Sequence, residues 1–313
     1  TGANALISGS STSTGSFGRI SVNGISISDN DDGSNNTIFG RNAATSFGSS
    51  TANNIIVGPN AADAMDGGES HNIVIGQHAM GDADEGASGT VDFNVVIGNS
   101  ALRGGAFTST EQLEGNIAIG YQALNKDGDT NTSIGQVAIG YQALKSMTSG
   151  NSNVSIGYKA GTSVTTGHNN VAIGNNALLN SQDIGFAVAI GNSVMASGTM
   201  TSAADGTVAI GQSTLTTLTS GIGNVAVGYE ALKVEDDGDF NTAIGYQALT
   251  DQTGVSGTVA NTAVGYYAGT NITTGIKNTM LGAYAGYLSL LVDNVTCVGY
   301  NAGGSAAMTA DAD

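Results

Sequence analysis

The stretch NTAIGYQAL, residues 241–249, recurs along the chain with small changes, as NIAIGYQAL at 116–124 and QVAIGYQAL at 136–144. Aligned on the glycine that follows the aliphatic residue, fifteen copies are found, spaced by 17 to 22 residues, and 17 is the commonest spacing. A period of this length is typical of architectures in which identical units stack on one another. Positions are numbered below from this glycine, so that Asn241 is position −4 and Tyr246 is position +1. The repeat glycines are Gly40, Gly58, Gly76, Gly98, Gly120, Gly140, Gly157, Gly174, Gly191, Gly211, Gly228, Gly245, Gly265, Gly282 and Gly299.

Each position of the repeat has its own residue preference, and the preferences indicate a short strand followed by a turn. Position −3 is β-branched in every copy, position −1 is a large apolar residue, and position −4 is Asn in eleven of fifteen copies. β-Branched residues favour extended backbone, and glycine allows a backbone conformation that a Cβ atom forbids. No Asp, Glu, Lys or Arg occupies positions −4 to −1.

Alternation along the strand predicts two faces, both apolar and both buried. We expect the bulky Thr242 and Ile244, at positions −3 and −1, to fill the interior of a coil. We expect the small Ala243 and Ala226, at position −2, to face outward and let the backbone of a neighbouring chain approach closely.

The other repeat positions have predicted structural roles. Asn241 should hydrogen-bond to the asparagines of adjacent repeats in a ladder, Gly245 should turn the corner as Gly174 and Gly228 do, and Tyr246 should cap that corner. One unit cannot bury two apolar faces alone, but stacked units can. The sequence therefore predicts an all-β protein, a parallel β-solenoid or β-roll of about fifteen repeats that, at about 4.8 Å per repeat, is roughly 70 Å long.

Composition restricts the classes of partner. The chain has 48 Gly, one Pro, no Trp and a net charge of −17, with 11% charged residues. Such a chain should repel nucleic-acid phosphates and anionic membranes, and no apolar run is long enough to span a bilayer. The single cysteine, Cys297, excludes an internal disulfide. We therefore expect no nucleic-acid partner and no membrane insertion, and stability that comes from topology or assembly.

Three regions are expected from the distribution of the repeat. Residues 1–35 lack it, contain the alternating run RISVNGISIS at 19–28, and are interpreted as a capping or attachment strand region. Residues 36–303 form the solenoid, and residues 304–313 form a C-terminal tail. The first residues lack the basic and apolar regions of a signal peptide.

The strings NVAIGNNAL, NTAIGYQAL and NTAVGYYAG resemble the repeats of bacteriophage tail-fibre proteins, and are also similar to the β-roll head repeats of trimeric autotransporter adhesins. The resemblance covers about residues 36–303; the adhesin units are shorter, nearer fourteen residues. It implies a homotrimeric, non-enzymatic fibre of the virion tail, outside the cell. Its implied partners are sister chains, other tail or filament proteins, and a host-surface glycan or protein.

Several polar residues are weighed as possible sites. The acidic connectors offer oxygen ligands for Ca²⁺ at Asp29, Asp31, Asp127, Asp129, Asp236 and Asp239, although none keeps the spacing of a known calcium loop. His71, His78 and His168 lie in different repeats or on two sides of one strand, so we interpret them as turn residues rather than metal ligands. Cys297 replaces the alanine of position −2 and is interpreted as a small buried residue. No cofactor is expected.

The sequence thus predicts a structural and adhesive fibre of a phage tail whose receptor is unknown. A cellular surface adhesin or an extracellular filament is the first alternative. A polysaccharide depolymerase, which needs two carboxylates about 5–10 Å apart in a groove, and an ice-binding solenoid with regular outward threonines are less favoured. The row of tyrosines at position +1 allows either sugar binding or corner packing, and its regularity favours packing.

Overall fold

The computed structural model is an all-β parallel solenoid built on one long sheet. It describes residues 20–22, 25–28, 35–48, 50–65, 67–82, 90–104, 112–125, 133–253 and 256–305. In this sheet each repeat contributes one short strand, and successive strands pair in parallel and in register. The fifteen parallel strands are β3 Thr37–Phe39, β4 Ile55–Val57, β5 Ile73–Ile75, β7 Val95–Ile97, β9 Ile117–Ile119, β11 Val137–Ile139, β12 Val154–Ile156, β13 Val171–Ile173, β14 Val188–Ile190, β15 Val208–Ile210, β16 Val225–Val227, β18 Thr242–Ile244, β20 Thr262–Val264, β21 Thr279–Leu281 and β22 Thr296–Val298.

The remaining elements are short and flank this sheet. An N-terminal hairpin pairs its second strand antiparallel to β3. Two small parallel sheets form where the connectors of adjacent turns meet. These elements are β1 Ile20–Val22, β2 Ile25–Ser28, β6 Thr90–Asp92, β8 Gln112–Glu114, β10 Ser133–Ile134, β17 Gly238–Asp239, β19 Gly257–Thr258 and one 3₁₀ turn, Ser202–Ala204.

The register aligns like positions of neighbouring repeats, so each position becomes a row along the molecule. In β16 and β18, for example, Val225 pairs with Thr242 and Ala226 with Ala243. We call the strand of one repeat in the main sheet a rung. Since neighbouring strands lie about 4.8 Å apart, fifteen rungs give a length of roughly 70 Å.

The sides of the strand are the reverse of those predicted. Ala243 and Ala226 are fully buried inside their own coil, whereas Ile244 is 40% exposed and Thr242 is partly exposed. Alternation placed positions −3 and −1 together, as expected, but on the outer face. The physical reason is volume, because the interior is already filled from the opposite wall by side chains such as Leu249.

The side chains at positions −2 and +4 meet inside the coil, and their sizes are related. Where position +4 is the small Ala62, position −2 is Ile56, and both are fully buried. In the repeat where position +4 is Gly286, position −2 is the large Met280, and a Cβ atom at Gly286 would lie 2.3 Å from Met280 Sδ. This compensation keeps the density of the interior close to that of a normal protein core.

Candidate functional site

The asparagines of position −4 form a buried ladder through the coil. Asn241 donates its backbone N–H to Asn224 Oδ1 at 2.8 Å, and its own Oδ1 accepts the N–H of Asn261 at 3.0 Å. Asn72 shows the second contact of the row, since its Nδ2 also donates to the carbonyl of Val91 in the next turn, at 2.7 Å. Each such amide therefore ties three successive turns together.

Gly245 turns the chain away from the main sheet. Its φ is +144°, and a Cβ atom there would lie 2.2 Å from the carbonyl oxygen of Gly265 in the next turn. Gly174 and Gly228 have the same conformation and the same close approach to the next repeat glycine. The row of glycines is thus a line of backbone-to-backbone contact that no side chain can enter.

The outer face of the main sheet is a continuous apolar surface. It consists of the two rows at positions −3 and −1, which hold Val, Ile, Thr, Leu and one Phe and carry no charged residue. Ile55, Ile75, Ile210 and Leu281 are between 37% and 46% exposed. We call these two rows the outer strand face.

Exposed phenylalanines lie at one border of the outer strand face, at position −5. Phe93, Phe186 and Phe240 are each more than half exposed. Phe93 stacks on His71 of the preceding rung, with ring centroids 4.9 Å apart, and Phe186 meets His168 edge to face at 5.0 Å. Sequence reasoning missed this row, although the period of the repeat aligns its members.

Tyrosines follow the other border, at position +1, just beyond the glycine corner. Tyr121, Tyr141 and Tyr158 stack in succession, with ring centroids 5.3 and 5.2 Å apart. Tyr229 and Tyr246 stack in the same way at 4.9 Å. Tyr246 therefore belongs to an aromatic row beside the glycine corner, and its predicted capping role stays a prediction.

The tyrosine row changes character in the last four rungs. Position +1 is tyrosine in three of these rungs and Ala283 in the fourth, and further tyrosines appear at position +2, as Tyr267 and Tyr284, and at position +5, as Tyr287. The rings contact one another mostly edge to face, and loss of solvation raises the pKa of Tyr266 and Tyr284. We call this group the tyrosine cluster; it consists of Tyr246, Tyr266, Tyr267, Tyr284, Tyr287 and Tyr300.

Asp236 and Asp239, the two predicted calcium ligands in the connector 235–239, take part in different contacts. Asp236 groups with Glu235 and Asp237, with one carboxylate oxygen of each within 4.8 Å of the others. Asp239 Oδ1 accepts the backbone N–H of Ile222 in the preceding turn at 2.9 Å, which gives it a structural role. Calcium binding at Asp236 and Asp239 stays a prediction, and Asp29, Asp31, Asp127 and Asp129 lie outside the described residues.

Glu235 is a fully buried carboxylate that sequence reasoning did not select. Its Oε1 accepts the backbone N–H groups of Asp236, Asp237 and Gly238 at 3.1, 3.3 and 2.8 Å, and burial raises its pKa. It occupies position +7, which holds the buried Leu218 in the preceding turn. That alignment was visible in the sequence, and it identifies Glu235 as a loop-capping acceptor inside the coil.

The histidines and the cysteine are dispersed. The ring Nε2 atoms of His71 and His78 lie 3.3 and 3.4 Å from the side-chain nitrogens of Asn53 and Asn60, each in the preceding turn. Cys297 is a buried free thiol whose pKa is raised by burial. Within the described ranges, the only group of three possible metal-ligating side chains is the one at Glu235, and it contains neither histidine nor cysteine.

Comparison of the chain with protein-family models, with curated proteins and with solved structures found no match. Among the described residues there is no helix with the length and apolar character needed to cross a membrane.

Proposed function

We propose that the protein is a structural and adhesive fibre of a phage tail, assembled as a homotrimer and displayed outside the cell. The observation that supports this most directly is the outer strand face. It is apolar, uncharged and partly or fully exposed in a single chain, and it extends over every rung. A surface of this kind on a water-soluble rod favours burial against another protein.

The size of the outer strand face fits a stable interface. Rungs of about 4.8 Å give a length of roughly 70 Å, and two rows of side chains are about 13 Å wide, so the face covers about 900 Å². The largest apolar patch on an ordinary monomer is about 300–600 Å², and each partner in a standard interface buries about 800 Å².

A second and a third copy of the same chain are the occupants we propose. The rows that contain Ile190 and Val188 have one residue per rung, at the strand spacing of the sheet. A sister chain has the same spacing, so its rows can match these rows over the whole length. The number three and the phage tail come from the resemblance of NTAIGYQAL to tail-fibre repeats. An adhesive role fits a rod that projects from a particle.

The test uses three consecutive residues of β14. The double variant Val188→Glu with Ile190→Glu places two charges on the outer strand face, so it should remain folded by circular dichroism but sediment as a monomer. Ala189→Glu, between them, places a charge inside the coil and should abolish folding. A wild-type chain that sediments as a monomer, or a double variant that forms a normal trimer, would overturn the proposal.

A second experiment addresses the location of the fibre. Antibodies against the chain should label the tails of virus particles in electron micrographs of lysates from the host that carries the gene. Labelling of the cell surface instead would favour the alternative, a cellular adhesin or filament.

One observation favours the ice-binding alternative, and another speaks against it. Position −3 does face outward, and four successive rungs carry threonine there, at Thr242, Thr262, Thr279 and Thr296. Ten of the other eleven rungs carry Val or Ile at this position. The row is therefore not a regular threonine array, and thermal hysteresis by the purified rod would be needed to support this function.

A further inference from the structure

The tyrosines of the middle rungs cover each other's ring faces. Tyr121, Tyr141 and Tyr158 are inclined to their neighbours by only 16° and 10°, with ring centroids 5.3 and 5.2 Å apart. In such an offset stack each ring covers part of its neighbour's face, so a ligand reaches mainly ring edges and hydroxyl groups. We therefore interpret this part of the row as surface packing beside the glycine corner.

The tyrosine cluster has a different geometry. Tyr284 meets Tyr266 at 82° and Tyr300 at 84°, with ring centroids 5.3 and 6.1 Å apart. Perpendicular rings touch through an edge, so in each such pair the face of the ring that contributes its edge is not covered by its partner. Tyr266 also stacks on Tyr246, and Tyr284 on Tyr267. Tyr300 belongs to the last rung and is 78% exposed, whereas Tyr246 and Tyr266, at 41% and 45%, are as exposed as Tyr141 and Tyr158 of the regular stack, at 41% and 46%.

The chemistry of the tyrosine cluster is uniform and uncharged. Phenols with pKa values near 10 are neutral hydrogen-bonding groups at physiological pH. Between residues 241 and 305 the charged residues are Asp251, Lys277 and Asp293. None of them follows the glycine corner at position +1, +2 or +5, where the tyrosines lie. Asp293 Oδ1 is held by the backbone N–H of Ile276 at 2.7 Å.

We infer that the tyrosine cluster binds a neutral oligosaccharide. The apolar C–H face of a sugar ring packs on an open aromatic face, and the phenol hydroxyls donate to and accept from sugar hydroxyls. Tyrosine provides both with little loss of conformational entropy, since it has two side-chain torsions. An anionic glycan is disfavoured, because the cluster itself contains no cation and the chain carries a net charge of −17. The inference rests on the proposed adhesive function, which needs a surface that contacts a receptor.

The test uses the full chain on a printed array of neutral hexose and N-acetylhexosamine oligosaccharides beside their sialylated forms. Wild type should retain at least one neutral class. The double variant Tyr266→Ala with Tyr284→Ala should weaken that binding at least tenfold. The matched control, Tyr141→Ala with Tyr158→Ala, removes two tyrosines from the regular stack and should bind as wild type does. Tyr300→Ala, at the most exposed member, should weaken binding without disturbing the coil.

Several outcomes would overturn the inference: no neutral oligosaccharide retained by wild type, preference for the sialylated forms, or equal loss in the control and in the cluster variants. Should the double variant fail to fold, unchanged binding by Tyr300→Ala decides against the inference. Sedimentation of the same samples separates the two proposals. A trimer that binds no neutral sugar contradicts this inference alone, and a monomer that binds sugar contradicts the trimeric fibre alone.

Discussion

Gly245 is the residue at which the chain leaves the main sheet, and its geometry explains why glycine recurs there in every repeat. A side chain would be opposed twice, by the positive φ of +144° and by the Gly265 carbonyl 2.2 Å from the Cβ position. Gly299, in the last rung, has a φ of +119°, but nothing lies within 4 Å of its Cβ position. A comparison of the two glycines therefore separates the cost of backbone strain, which both positions have, from the cost of steric overlap, which only Gly245 has.

We expect Gly245→Ala to destabilise the rod more than Gly299→Ala does. Strain of about 1–3 kcal/mol applies at both positions, and overpacking adds about 1–3 kcal/mol at Gly245 alone. Urea unfolding followed by circular dichroism measures the two midpoints. Equal shifts would show that the contact between successive glycines contributes nothing.

The asparagine ladder acts on the scale of the stacked strands. It continues from turn to turn through Asn153 and Asn170, whose Oδ1 accepts the backbone N–H of Ala187 at 2.9 Å. Ala187 and the next residue of the row, Thr207, carry no amide side chain, and the ladder resumes at Asn224. Hydrogen bonds of this kind satisfy backbone groups that the coil buries away from water.

Asn170→Ala should be costly for the same reason. It removes the bonds from Nδ2 to Asn153 Oδ1 and to the Ile184 carbonyl, at 3.0 and 2.7 Å, and the acceptor of the Ala187 N–H. Each buried group left unsatisfied costs about 1–3 kcal/mol. Asn175→Ala is the matched control, since this asparagine of the same repeat is exposed and such changes cost within about 0.5 kcal/mol. Comparable urea midpoints for the two variants would contradict a stabilising ladder.

On the scale of the whole molecule, two effects make the stability of the fold depend on pH in the same direction: the net charge and the burial of Glu235. The net charge of −17 at pH 7 opposes the compact state through self-repulsion, and acid reduces it. Burial of Glu235 raises its pKa above the ordinary value of 4.5. A carboxyl group with a raised folded-state pKa contributes stability that is complete below the unfolded pKa and is lost as pH rises through the folded pKa. Both effects favour mildly acidic solution.

The rod should therefore have a higher urea midpoint at pH 5 than at pH 8, and Glu235→Gln should reduce that difference. When the amide oxygen keeps the backbone hydrogen bonds of Oε1, the NH₂ group that replaces Oε2 cannot accept from Asn241 Nδ2, 3.3 Å away, so the readout is the pH dependence and not the absolute midpoint. Glu230→Gln is the control of opposite sign. The hydrogen bond from Lys233 lowers the pKa of Glu230 from its ordinary value of 4.5, so its contribution is lost as pH falls below that value, and the partly exposed pair makes the effect small. Glu230→Gln should therefore leave the difference between pH 5 and pH 8 unchanged. An unchanged pH dependence in Glu235→Gln would exclude this carboxyl group as its source.

The sequence by itself determined the period, the strand, the corner glycine and the asparagine row of this protein. Each of these depends on local chemistry: β-branched residues extend the backbone, glycine at a positive φ turns it, and an amide can both donate and accept along a stack. Stacking then follows from the regular spacing, because a repeat with two apolar faces cannot bury both alone. Even Glu235 was accessible in this way, since its place in the repeat is that of the buried Leu218.

Only the tertiary structure decided which face of the strand is inside. Alternation fixes that Thr242 and Ile244 share a side, but both faces are apolar, so the pattern is symmetric with respect to inside and outside. The opposite wall of the coil breaks this symmetry, because buried side chains such as Leu249 fill the interior and leave room for only a small residue at Ala243. The outer strand face and the perpendicular rings around Tyr284 are consequences of that packing. The spacing of the residues along the chain does not determine how the interior is packed.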